Sequence, residues 1–143
     1  QEIRDSVKIS ENATLLELEL EFDLSSSTAN DFGFILKNTK GEKVIVGFQK
    51  TDSTFYIDRT NSGKASFSDK FARVDSAPYI PQGMMKIRAL IDVASVEVFV
   101  DDGRLAMTEI YFPNEDYTQT QLFSNGGDAA LTSGKAYRLK SIW

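Results

Sequence analysis

The chain has 143 residues, of which 41% are hydrophobic and 26% charged, and its net charge is −5. This length suits one folded domain with its own core, and the acidic balance argues against nucleic acid or an anionic membrane surface as a partner. The sequence contains no cysteine and no histidine, which excludes disulfides, thiolate chemistry and the commonest general base. No hydrophobic run exceeds three residues, so we expect no membrane insertion.

Strict alternation first occurs in LLELELEFDL, which places Leu16, Leu18, Leu20 and Phe22 on one face and four acidic residues on the other. This period of two predicts a half-buried antiparallel strand whose acidic row is a solvated face. After a polar loop, FGFILKN and KVIVGFQ predict a hairpin around Gly41, and STFYID predicts the next strand.

The polar stretch at residues 59–72, RTNSGKASFSDKFA, contains many turn-forming residues and predicts a long loop. MKIRALID and SVEVFVDDG then predict a hairpin, and the turn at residues 101–103 should lead into RLAMTEIYF. Three more strands, TQTQLFSN, DAALTSG and AYRLKSIW, complete the chain.

About ten short strands without a convincing helix predict an all-β fold. We expect an antiparallel two-sheet β-sandwich, of the jelly-roll or concanavalin-like kind, formed by residues 1–143 as one domain. The inward positions of the alternating strands predict the core residues Leu18, Leu20, Phe22, Ile35, Val46, Ile57, Ile87, Val96, Val98 and Val100.

Several ordered motifs carry a family resemblance: YIDRTNSG at 56–63, FARVDSAP at 71–78, LIDVASVEVFVDDGR at 90–104 and IYFP at 110–113, with LKSIW at the end. Together they resemble the C-terminal β-sandwich domain of glycoside hydrolase family 32, the invertase, levanase and inulinase family. This sandwich is similar to carbohydrate-binding module family 66, which recognises fructans. The chain departs from the pattern at Val93, where family members usually carry a basic residue after the residue matching Asp92.

The resemblance implies an accessory domain without catalytic residues, because the family's chemistry belongs to an N-terminal propeller. Its Asn-Asp-Pro, Arg-Asp-Pro and Glu-Cys motifs do not occur in this sequence. We therefore expect no hydrolytic activity, no cofactor and no bound metal. The expected role is recognition of fructose units in levan, inulin or fructo-oligosaccharides as part of a secreted, cell-surface or periplasmic β-fructosidase. The alternative is a structural appendage that stabilises or oligomerises the catalytic propeller.

The candidate sugar site lies on the outward positions of two strands and at the ends of the long loop. Carboxylates accept hydrogen bonds from vicinal hydroxyls, arginine donates several from a planar fork, and an aromatic ring supplies an apolar platform. If the two strands share a sheet face, their outward residues form one patch that Arg88 also joins. The predicted carbohydrate-binding residues are Asp58, Arg59, Arg73 and Glu97, with Tyr56 or Phe99 as the platform.

Less specific interpretations of the same residues stay open. Asp58 and Arg59 could form a strand-end ion pair that anchors the loop, and Glu97 could be an ordinary solvated residue. Asp92 and Asp102 suit turns better than ligand binding, and the acidic pairs at 101–102 and 115–116 lack the oxygen-ligand spacing of a calcium loop. A glycosidase pair made of Asp58 and Glu97 would require the two carboxyls to face each other across a bond, which we do not expect.

Overall fold

The computed structural model describes residues 2–10, 15–64 and 73–138, and in these segments the regular structure consists of β-strands alone. All pairings between them are antiparallel. The strands are β1 (Glu2–Ser10), β2 (Leu16–Asp23), β3 (Asp31–Lys37), β4 (Lys43–Gln49), β5 (Thr54–Asp58), β6 (Val74–Pro78), β7 (Met84–Ile91), β8 (Ser95–Val100), β9 (Leu105–Ile110) and β10 (Gln119–Arg138). In this part of the chain there is no helix that could span a membrane.

The strands form one curled sheet that folds back on itself as two layers. Its strand order is β6-β5-β4-β3-β10-β2-β7-β8-β9, with β1 paired to β10. The first part of the 20-residue strand β10 pairs with β3 and β1, and its last part pairs with β2. We call β6-β5-β4-β3-β10-β1 the first layer and β10-β2-β7-β8-β9 the second. The predicted antiparallel β-sandwich is thereby confirmed.

The inward positions of both layers form one apolar core. Phe22 of the second layer and Phe32 of the first layer, whose ring centroids are 5.0 Å apart, connect the two layers. The prediction that Ile35 is a core residue is wrong. Phe32, Phe34 and Leu36 take the inward positions of β3, so Ile35 is half-buried on the outer face. The other predicted core residues are confirmed as buried: Leu18, Leu20, Phe22, Val46, Ile57, Ile87, Val96, Val98 and Val100.

The strand count agrees with the sequence prediction, but the set of strands differs. The three strands expected from residue 118 onward are one continuous strand, β10, whose pairing with β2 shifts in register between Leu131 and Ser133. β1 and β6 were not expected as strands. The predicted loop at 59–72 is described only as far as Lys64, so residues 65–72 lie outside the described part, as do residues 139–143 of the last expected strand.

Side chains close the gap between the outermost strands of the two layers, β6 and β9. At one end, the Tyr79 hydroxyl donates to the Asp101 carboxylate, and Arg104 Nη2 donates to the Ile80 carbonyl at 2.7 Å. At the other end, Arg59 lies against Glu109. Polar groups therefore join two strand edges that share no backbone ladder, and the second of these junctions is the candidate site.

Candidate functional site

Four charged residues, which we call the seam cluster, lie at the end of the gap between β6 and β9: Arg59, Arg73, Asp75 and Glu109. Arg59 directly follows β5, and its backbone N–H donates to the Arg73 carbonyl at 3.0 Å. Asp75 pairs with Ile57, and Glu109 pairs with Val96. Because paired residues of neighbouring strands share a face, both carboxylates point to the core side of the sandwich.

The turn at residues 59–64 fixes the position of Arg59. The Asp58 carboxylate accepts hydrogen bonds from Thr60 N and Oγ1 at 2.9 and 2.7 Å. The Ser62 hydroxyl donates to the Arg59 carbonyl at 2.9 Å, and the Tyr117 hydroxyl donates to the Ser62 carbonyl. Asp58 therefore supports the loop through its bonds to Thr60. It pairs with Ile45 and Val74 on the outer face of the first layer, so its side chain points away from the core-facing carboxyls of the seam cluster.

The Arg59 guanidinium joins the two strand edges. Its Nε lies 3.5 Å from Glu109 Oε2, its Nη2 lies 3.9 Å from Asp75 Oδ2, and its Nη1 donates to the Ile110 carbonyl at 2.9 Å. The Arg59 and Glu109 side chains are only 7% and 9% exposed. Arg73, in contrast, pairs with Asp75 at 2.9 Å from a side chain that is 52% exposed. The cluster thus combines a buried cation with a second cation open to solvent.

The two carboxyls of the cluster share a hydrogen bond, and this sets their protonation. Burial, followed by the hydrogen bond to Asp75, raises the pKa of Glu109 to about 7. The hydrogen bond from Glu109, together with Arg73, lowers the pKa of Asp75 below its ordinary value. Below neutral pH, Glu109 therefore carries a proton that it donates to an ionised Asp75.

We predict that the free energy of unfolding falls as the pH rises from 5 to 8. The folded-state pKa of Glu109 lies above its ordinary 4.5, so its contribution is complete below that value and is lost as the pH rises through about 7. Asp75 acts in the opposite sense, because its lowered pKa contributes stability above pH 3.8 that is lost on further acidification. The decrease in the free energy of unfolding caused by Glu109 should reach up to about 3 kcal/mol at alkaline pH. Urea unfolding at several pH values measures this decrease.

The variant Glu109→Gln retains a donor for Asp75 but cannot ionise, so its stability should change less with pH between 5 and 8 than that of the parent chain. Glu97→Gln is the matched control, because Glu97 is exposed on the neighbouring strand β8. It should follow the parent curve. Parallel curves for Glu109→Gln and the parent would show that the carboxyl pair does not share a proton in this way.

Tyr56 projects from the outer face of the first layer, but it is covered. It pairs with Gly47, over which its ring lies, and its hydroxyl donates to Asp31 Oδ1 at 2.6 Å. The side chain is 8% exposed, and burial raises the pKa of its phenol above the ordinary value. Tyr56 is therefore part of the packed sheet surface and cannot serve as an open platform for a sugar ring.

Glu97 and Phe99 lie on the outer face of the second layer, with Arg88 paired to Phe99 on β7. The strand of Asp58 belongs to the first layer. Since the inward faces of the two layers share one core, their outer faces point away from each other. The prediction of one patch is therefore wrong: the fold brings Arg59 and Arg73 together, leaves the Asp58 side chain on the outer face of the first layer, and holds Glu97 and Phe99 on the outer face of the second layer.

Sequence reasoning missed Asp75 and Glu109. A signal for Glu109 was present in RLAMTEIYF, where it occupies the same alternating positions as Leu105, Met107 and Tyr111. A carboxylate at an inward position of an alternating strand requires a partner, because burial of an unpaired charge is costly. Arg59 supplies that partner from 50 positions earlier in the chain, a contact that local pattern does not reveal.

The remaining acidic candidates have turn roles, as predicted for Asp92 and Asp102. Asp92 Oδ1 accepts the Val93 N–H at 2.6 Å, and Asp101 Oδ1 accepts the Lys86 N–H at 2.9 Å. Asp101 and Asp102 both have positive φ angles, of 51° and 59°, in the turn between β8 and β9. In the described segments there is no group of three or more metal-binding side chains that could hold an ion.

These features define the class of protein: a small antiparallel β-sandwich domain with a cluster of paired charged side chains at its open edge. The family follows from comparison with known proteins. Residues 1–138 match the family model described as the C terminal of glycosyl hydrolases family 32, and the chain belongs to this family. The resemblance seen in the sequence is thus confirmed, and the chain is the non-catalytic C-terminal domain of such proteins.

Individual relatives agree with this assignment. A levanase of Bacillus sp. (strain L7) is 36% identical over 129 residues, which cover 89% of this chain but 14% of the levanase. An extracellular exo-inulinase of Aspergillus awamori is 32% identical over 94% of this chain and 26% of its own length. The crystal structure of exo-inulinase from Aspergillus awamori superposes with a TM-score of 0.87 at 28% identity, covering 99% of this chain and 28% of that chain. The chain therefore spans only a small part of these relatives.

Proposed function

We propose that this domain binds the fructose units of fructans and that the seam cluster is the contact site. The observation that carries the proposal is the guanidinium of Arg59, which is buried between the carboxyl groups of Asp75 and Glu109, beside the exposed Arg73. A structural ion pair would need one cation and one anion. The second arginine and the partly exposed Asp75 leave a donor and an acceptor on the solvent side of the cluster.

The chemistry of the cluster suits a neutral polyol. Ionised Asp75 can accept hydrogen bonds from sugar hydroxyls, and Arg73 can donate to hydroxyl oxygens from its planar fork. Each charge has an opposite partner when the site is empty, because Asp75 lies between Arg59 and Arg73, so a neutral ligand enters without leaving an unpaired charge. An anionic or cationic ligand would instead disturb this balance.

The relatives support fructan as the ligand, since the named proteins are levanases and exo-inulinases. We propose that the parent protein is a β-fructosidase whose catalytic propeller precedes this domain and for which the domain supplies substrate affinity. We further propose that the protein is secreted, because several of the similar inulinases are described as extracellular.

Arg73→Ala should weaken binding of a short fructo-oligosaccharide by about ten- to a hundredfold, since hydrogen bonds to charged groups contribute roughly 1.5–3 kcal/mol. Its side chain is half-exposed, so the variant should fold like the parent chain. Asp58→Ala should also weaken binding, because it loosens the turn that positions Arg59. Isothermal titration calorimetry gives the affinities, and electrophoresis through gels containing levan, inulin or starch tests ligand specificity.

Glu97→Ala distinguishes the seam cluster from the outer face of the second layer. Binding that survives Arg73→Ala unchanged but is lost in Glu97→Ala would move the site to that face. Retention of the parent chain by starch as strongly as by levan and inulin would count against fructan recognition.

A second candidate function, the structural appendage, is favoured by an apolar groove of about 500 Å³ beside the seam. Its lining includes Val93, Tyr111, Phe112 and Pro113, and Val93 and Phe112 are 41% and 42% exposed. Exposed apolar surface of this kind is typical of contact with another protein surface. In this role the groove would pack against the catalytic part of the parent protein.

Sedimentation of the chain, measured beside the binding assay, separates the two functions. A structural appendage should self-associate through the groove, should become monomeric in Val93→Lys, and should release no heat with fructan. A binding module should retain its affinity in Val93→Lys whether or not the chain associates.

A further inference from the structure

The outer face of the second layer carries a groove that the seam cluster does not use. Its volume is about 520 Å³, which lies in the range of small-molecule binding sites. Its floor crosses three neighbouring strands at the paired residues Glu19 of β2, Arg88 of β7 and Phe99 of β8. Glu21 and its partner Lys86 form the next row. We call this surface the outer groove.

One wall of the outer groove is a fixed turn. Asp102 and Gly103 line it and have positive φ angles of 59° and 95°. Asp101 holds this turn in place, because its carboxylate accepts hydrogen bonds from the Lys86 N–H and the Tyr79 hydroxyl. A wall held in this way loses little conformational freedom when a ligand binds, which favours affinity.

The groups in the outer groove select the chemical class of ligand. Phe99 is half-buried and supplies apolar ring surface, which suits the C–H faces of a sugar. Both cations of the lining are paired: Arg88 Nε lies 2.8 Å from Glu17 Oε2, and Lys86 Nζ lies 3.8 Å from Asp102 Oδ2. Glu19 and Glu21 add two more carboxylates to the lining, so acidic side chains outnumber basic ones and an anionic ligand is disfavoured. A neutral, hydroxyl-rich ligand can use both donors and acceptors around the ring.

We propose that the outer groove is a second carbohydrate-binding site, which takes a neutral oligosaccharide lying across β2, β7 and β8. The choice of fructan as its ligand rests on the proposed function of the domain, whereas the site itself rests on the residues of the groove. The seam cluster and the outer groove face different directions. One chain of the protein would therefore hold two separate segments of a polysaccharide, and its avidity for polymer would exceed its affinity for a short oligosaccharide.

Titration of the chain with a short fructo-oligosaccharide should give two sites per chain. Phe99→Ala should remove one of them by weakening it at least about tenfold, while the site sensitive to Arg73→Ala stays intact. The double variant should bind nothing. Ser133→Tyr places a bulky side chain in the groove from an exposed position and should also remove this site. It replaces Phe99→Ala as the test if the Phe99→Ala variant folds poorly. Glu97→Ala, on the same strand and face but outside the groove lining, is the matched control and should retain both sites.

The outcomes distinguish the two proposals. A single site that disappears in Arg73→Ala and is unaffected by Phe99→Ala and Ser133→Tyr overturns the outer groove and leaves the proposed function intact. A single site lost only in the groove variants supports the outer groove and removes the seam cluster as a binding site. Absence of heat with levan, inulin and the short oligosaccharide overturns both.

Discussion

Replacing Arg59 by alanine should destabilise the folded chain by about 3–5 kcal/mol at pH 8, because removing one partner of a buried ion pair leaves an uncompensated charge. Arg59 lowers the pKa of Glu109, so without the guanidinium Glu109 must either take up a proton at this pH or stay ionised next to Asp75. The Ile110 carbonyl would also lose its donor. At pH 5, where Glu109 is protonated, the loss should be smaller. Urea unfolding followed by far-ultraviolet circular dichroism measures both values.

Arg73→Ala is the matched control for this experiment, since Arg73 binds the same Asp75 from an exposed position. An exposed pair contributes at most about 1 kcal/mol, so the stability of this variant should stay close to that of the parent. Arg59→Lys should fall between the two, because lysine retains the charge but not the planar fork. Equal effects of Arg59→Ala and Arg73→Ala, or a loss that does not depend on pH, would show that the junction between β6 and β9 does not depend on this guanidinium.

Replacing Gly33 by alanine should cost at least about 3 kcal/mol of unfolding free energy, because the added methyl group collides with backbone. Gly33 on β3 pairs with Gly47 on β4. A Cβ atom at Gly33 would lie 2.0 Å from the Val46 carbonyl oxygen and 2.7 Å from Gly47 Cα. Strand backbones cannot move apart without breaking their ladder, so the collision cannot be relieved locally. Thermal unfolding and urea unfolding both report the change.

Gly47→Ala is the matched comparison, because its Cβ atom would meet only the end of the Tyr56 side chain, 2.7 Å from the hydroxyl oxygen. The ring can swing outward at the expense of its hydrogen bond to Asp31, so the cost should be about 1–2 kcal/mol. A Gly47→Ala variant less stable than Gly33→Ala would contradict this order and would show that the packing of Tyr56 outweighs the spacing of the backbones.

Local pattern predicted much of the strand structure because side chains on a strand alternate between two faces. Leu18, Leu20 and Phe22 are buried as the alternation of LLELELEFDL required. Ile35 is the informative exception. FGFILK contains apolar residues at adjacent positions, so its alternation has no unique phase, and only packing against the other strands decided that Phe34 and Leu36 face inward.

The sequence by itself determined the fold class, the family and the outward or inward face of most strands, because these depend on periodicity and on motifs contained within one segment. The tertiary structure decided which strands are neighbours. Tyr56 and Phe99 both lie on outward positions, yet β5 and β8 belong to different layers, so they cannot share a site. Arg59 and Glu109 have no sequence relation, yet the curl of the sheet brings them within 3.5 Å. Contacts of this kind depend on how the layers close on each other, and the period of a single strand contains no information about that closure.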